Sequence, residues 1–99
     1  MNFAERIEKA RTVALTRLPA RPRVQEIGFE PYTDSTGDSA VKVTVLLAET
    51  TPEKERAFRS VAPIEQAIRE ALMEEGIDLW PYFWFRTPSE QKEEAAVCS

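Results

Sequence analysis

Phe3, Ile7, Ala10, Ala14 and Leu18 recur every three or four residues, the spacing that lines up side chains on one face of a helix. Asn2 stands before this run and Glu5 three positions later, an arrangement suited to capping the first amides. A helix is therefore expected from Phe3 to Leu18. Pro19 and Pro22 end it and stiffen residues 19 to 23 into a connector. The period then changes. Ile27 and Phe29 alternate with Glu26, Gly28 and Glu30, which predicts a strand over Val24 to Glu30, and Pro31 to Ser39 has the composition of a turn-rich loop. From Ala40 to Ala48 a second strand places Val41, Val43, Val45 and Leu47 on one face and Lys42 and Thr44 on the other. Leu46 makes its end apolar on both faces, so this strand is expected to be the best buried.

Thr51, Pro52 and Glu53 form a helix-start signal: a capping hydroxyl, a proline suited to the first turn and a carboxylate near the positive end of the dipole. A short helix to about Ser60 is expected, followed by a new start with Ser60 as cap and Pro63 in the first turn, giving two helices or one kinked one. Ile64, Ala67, Ile68, Ala71 and Leu72 form the apolar stripe of the second, with Glu65 and Arg69 outside it and Gly76 as its stop. Leu79 to Thr87 reads as a closing strand, and Pro81 favours an edge position or the strand's first turn. The predicted fold is α+β, in the order helix, strand, strand, helix, helix, strand: a three-stranded sheet with helices on one face. A crossover long enough to hold two helices makes the last strand parallel to the second, with the strand order 2-1-3 expected. One domain spans residues 1 to 87, and residues 88 to 99 form a polar, flexible tail.

An apolar share of 42% in 99 residues suits one core and leaves no room for a second. No apolar run approaches the roughly 20 residues of a membrane span, and Met1 to Arg11 alternates charge where a signal peptide would have an apolar block. A cytoplasmic address is expected. The single cysteine, Cys98, has no partner within the chain, and there is no histidine, which disfavours zinc sites and catalytic triads. No cofactor is expected, and no pair of carboxylates, tyrosines or lysines stands out as catalytic machinery. The net charge is −4, unevenly spread: residues 1 to 30 hold six Lys or Arg against four Glu, and the rest hold seven against thirteen acids. Nucleic-acid binding is disfavoured by this balance, although Arg17, Arg21 and Arg23 in the basic segment are its candidate contacts.

The closing strand carries the strongest functional signal. Trp80, Tyr82 and Trp84 fall on one face and Phe83 and Phe85 on the other, because strand side chains alternate. Helices on one face cover only one of these sets. Trp80, Tyr82 and Trp84, with the edge of their strand, are accordingly the candidate interface to a protein partner or to a second copy in a homodimer. Asp34, Ser35, Thr36, Gly37 and Asp38 lack the spacing of a calcium loop and read as a turn.

The element order over about residues 3 to 86 resembles a type II KH domain and is similar to the ribosome-binding factor A family. That resemblance implies an RNA- or ribosome-associated role. KH domains clamp the nucleic-acid backbone with a Gly-x-x-Gly loop between paired helices, and at that place this chain has Arg59, Ser60, Val61 and Ala62. The closing strand is also similar to that of small bacterial proteins of no assigned role.

Overall fold

The side chain of Asn2 accepts the Glu5 amide at 2.8 Å, and from this cap helix α1 runs Phe3–Leu15. It ends three residues earlier than its apolar period suggests. The Thr16 hydroxyl donates to the Val13 carbonyl at 2.7 Å, taking an acceptor of the last turn, and Leu18 reaches the core from beyond the helix. The computed structural model describes residues 2–98. After α1 come β1 (Val24–Thr33), β2 (Ser39–Leu47), a 3₁₀ turn (Glu53–Arg56), α2 (Phe58–Glu74), β3 (Trp80–Arg86) and α3 (Pro88–Cys98).

The three strands form one mixed sheet in the order β1-β2-β3, with β1 antiparallel and β3 parallel to β2. This corrects the expected order 2-1-3. The reason lies in Pro31, which belongs to β1 opposite Val41 and not to the loop. Proline has no amide to donate, so it suits an edge strand, and β1 cannot be the strand paired on both sides. β1 continues to Thr33, and the turn shrinks to residues 34–38. There the Asp34 carboxylate accepts the amides of Thr36 and Asp38, each at 2.9 Å, while Gly37 takes a φ of 87°.

Val41, Val43, Val45 and Leu47 are fully buried against α1 and α2, as their alternation predicts. Ala10 and Ala14 come from α1; Ile64, Ile68, Ala71 and Leu72 come from the expected stripe of α2. The helix-start signal at Thr51 is resolved differently. Its hydroxyl donates to the Ala48 carbonyl at 2.6 Å instead of capping, and Glu53–Arg56 makes only a 3₁₀ turn. α2 is then one continuous helix that begins before Ser60. Pro63 lies on its exposed side near the start, where the missing amide leaves only the Arg59 carbonyl without its usual partner.

Residues 88–98 add a helix where a tail is expected. The Thr87 hydroxyl accepts the Glu90 amide at 3.4 Å while the Glu90 carboxylate accepts the Thr87 amide at 2.9 Å, with Pro88 in the first helical position. Gln91 and Glu94 border depressions on the sheet face opposite α1 and α2, so α3 stands over one end of that second face. The Cys98 side chain lies outside the described residues. Among the described residues, no helix is long and apolar enough to cross a membrane.

α2 stops as Gly76 predicts. The Ile77 amide reaches the Leu72 carbonyl at 2.9 Å and the Gly76 amide reaches Met73 at 3.0 Å, the paired bonds of a Schellman cap, with Gly76 at φ 71°. No atom lies within 4 Å of where a Cβ would stand, so an alanine there meets only backbone strain. Gly76→Ala is expected to destabilise the fold by about 1 kcal/mol, read as a lower denaturant midpoint with an unchanged slope.

Candidate protein interaction surface

β3 brings its aromatics to the sheet edge as the alternation requires. Phe83 and Phe85 face the helices, with rings 6.4 Å apart and nearly parallel, and pack against the core. Trp80, Tyr82 and Trp84 occupy the other face. They do not share one environment: Trp80 is 61% exposed, whereas Tyr82 and Trp84 are half-buried.

Tyr32 from β1 separates them. Its ring lies 5.3 Å from Tyr82 and 5.5 Å from Trp84, reaching across β2 above the small side chain of Ala40, which pairs with both Tyr32 and Trp80. Lys42 sets its Nζ 5.0 Å over the Trp84 ring. The Tyr82 hydroxyl points to the Asp34 carboxylate at 3.4 Å; burial, then the Asp34 charge, pushes the Tyr82 phenol up. Tyr82 and Trp84 are thus committed to a cluster within the chain, and Trp80 is left outside it.

The outer side of β3 is flanked by arginines. Arg69 of α2 places its guanidinium 5.5 Å from both the Trp80 and Phe83 rings, with its Nε buried and without a partner, and meets Glu65 at 3.6 Å. Arg56 donates to the Phe85 carbonyl at 3.2 Å and grips the Glu90 carboxylate with both terminal nitrogens, at 2.8 and 2.9 Å. Phe58 and Met73, each 76% exposed, sit on the same flank of α2 as Arg69. These flanking residues are not singled out by the sequence pattern of β3. The available signal is the spacing Phe58, Ala62, Glu65, Arg69, Met73, a second stripe beside the core stripe.

The basic segment is largely neutralised. Arg17 forms a two-nitrogen pair with Glu74, and Arg21 approaches Glu55 at 3.9 Å; Arg23 is exposed. Arg59 to Ala62 lie in the first turns of α2. Among the described residues no cluster of side chains could hold a metal ion. A shallow depression of about 240 Å³ between Trp84 and α3 is lined mainly by opposed charges, Glu30 and Glu94 with Lys42 and Arg86. No known protein family, no curated protein and no solved structure matches this chain.

Glu90 ties three parts of the site together, and the Arg56 hydrogen bonds, ahead of the Thr87 amide, hold its carboxyl down from the ordinary 4.5 to about 2. A depressed carboxylate contributes stability that is complete above the ordinary value and is lost as pH falls toward the folded value. The denaturant midpoint of the native chain is therefore expected to drop through that acid window. Glu90→Gln is expected to lower the midpoint at neutral pH and flatten its fall in acid. An equally steep acid fall in the variant would assign the dependence to Glu8, Asp34, Glu49 and Glu74, which are also lowered.

Proposed function

We propose that this chain is a non-catalytic protein-interaction module that docks through the β3 edge and its outer aromatic, Trp80. The observation that carries this reading is the 61% exposure of an indole on an edge strand, next to a guanidinium stacked at 5.5 Å. An isolated exposed leucine would need no explanation, but tryptophan and arginine are the residues most enriched where binding energy concentrates. Tyr82 and Trp84 support the surface from behind, since their rings are already packed with Tyr32. The competing reading, an RNA-associated module using Arg17, Arg21 and Arg23, has less support because Glu74 and Glu55 occupy two of those cations.

The test is sedimentation of the purified chain across a concentration series and of the tagged chain in cell extract, each with and without Trp80→Ser. A species larger than the monomer is expected in at least one setting, weakened by Trp80→Ser by roughly thirtyfold or more, the loss typical of an interface anchor. The thermal midpoint of the monomer should hardly move. A stability loss of about 3 kcal/mol or more with assembly unchanged would assign Trp80 to the core, as would be expected for Ile68→Ala. A monomer in both settings would end the interaction reading.

A further inference from the structure

We propose that the occupant of the β3 edge is a second copy of this chain, paired β3 to β3 antiparallel about a two-fold axis at Phe83, with the two α2 helices side by side. This deepens the interaction reading above and rests on it. The edge is complementary to itself in three respects, as an isologous interface must be.

The first is the backbone. In a parallel ladder, alternate residues turn both amide and carbonyl to the same side. The Phe85 carbonyl is served by Arg56 at 3.2 Å and Arg86 at 3.0 Å, which places the main-chain groups of Pro81, Phe83 and Phe85 on the outer side. Pairing about Phe83 sets each Phe83 against its mate and each Pro81 against Phe85 of the second copy. Every outward amide then finds a carbonyl. One carbonyl would go unserved, that of Phe85 opposite a proline with no amide to give, and it is the one that the two guanidinium groups already supply.

The second is the side chains of β3. In this register Tyr82 stands beside Trp84 of the second copy, continuing the Tyr32 cluster, and Trp80 stands beside Arg86 of the second copy, an indole against a cation. The β1 edge paired with itself about its middle residue Gly28 would instead set Glu26 against Glu30 of the second copy.

The third is the flank of α2. Phe58, Glu65, Arg69 and Met73 share one helix face, and Arg69 lying over Phe83 and Trp80 puts that face on the side of the β3 edge. α2 is the crossover between the parallel strands β2 and β3 and so runs opposite to both, with Arg69 of its second half beside Trp80 at the start of β3. The same axis therefore lays α2 antiparallel to its mate, bringing Phe58 toward Met73 and Glu65 toward Arg69 of the second copy. Phe58, Met73 and Trp80 are the three most exposed large apolar side chains among the described residues, and one pairing covers them all.

The experiment is a charge exchange. Glu65→Arg leaves two cations on that stretch of α2, and Arg69→Glu leaves two carboxylates. Each variant alone is expected to dimerise at least about tenfold more weakly than the native chain, through like charges facing across the axis. An equimolar mixture should regain native affinity as a heterodimer, with a thermal midpoint that matches the native one at dilutions where both chains are monomeric as the control for folding. A native chain that stays monomeric when purified, while the extract holds a larger Trp80-dependent species, would overturn the second copy and leave the interaction reading standing. Dimers of both single variants at native strength, or a mixture that regains nothing, would overturn this pairing of α2. A Phe83→Cys change made together with Cys98→Ser gives the independent check: a disulfide-linked dimer is expected under mild oxidation, and none should form if the axis lies elsewhere.

Discussion

The row Val41, Val43, Val45 and Leu47 is the constraint from which the rest of the structure follows. These side chains are 2% exposed or less, so one face of β2 must be covered along its whole length, and α1 and α2 are the covers. Burial of that face also removes water from the strand's edges, where unpaired amides and carbonyls would be costly. β1 answers one edge through the hairpin and β3 the other through the α2 crossover. α1 lies closest to α2, and the buried Ala10 and Ala14 of α1 join Ile64 and Ile68 of α2 in the core above the sheet.

Around that core the polar contacts serve position more than energy. Exposed pairs such as Arg11 with Glu8 add little in water. The arrangement at Arg56 and Glu90 differs because its hydrogen bonds join three segments: the 3₁₀ turn, the end of β3 and the start of α3. Glu49 adds a fourth by accepting both the amide and the hydroxyl of Ser89, at 3.0 and 2.6 Å. The start of α3 is thus fixed against the ends of β2 and β3.

Periodicity alone revealed the core faces of α1, β2 and α2, the Gly76 stop and the alternation of the β3 aromatics, because each depends on local spacing. The features it misplaced depend on partners distant in the chain. Thr51-Pro52-Glu53 and Thr87-Pro88-Ser89-Glu90 look alike as helix starts, yet only the second has the carboxylate three residues after the threonine that can return to its amide. Pro31 held the clue to strand order, but it reads as a loop residue until its pairing with Val41 is known. The candidate site divided in the same way: Trp80, Tyr82 and Trp84 share a face by sequence, while the exclusion of Trp80 from the cluster required Tyr32 to cross β2. The flanking roles of Arg69, Phe58 and Met73 follow from the path of α2 along the sheet edge.

The parallel pairing of β2 with β3 has a consequence for the order of events during synthesis. The hairpin of β1 and β2 can close as soon as its own residues emerge, since its contacts are local. The second edge of β2 has no partner until Trp80–Arg86 follows, after the whole of α2. For that interval the strand that becomes the best buried of the three offers a bare edge. Closing it requires a long loop, whose entropy must be met before any contact is gained. Arrival of β3 is therefore the step that closes the sheet and ends the exposure of that edge to misassembly.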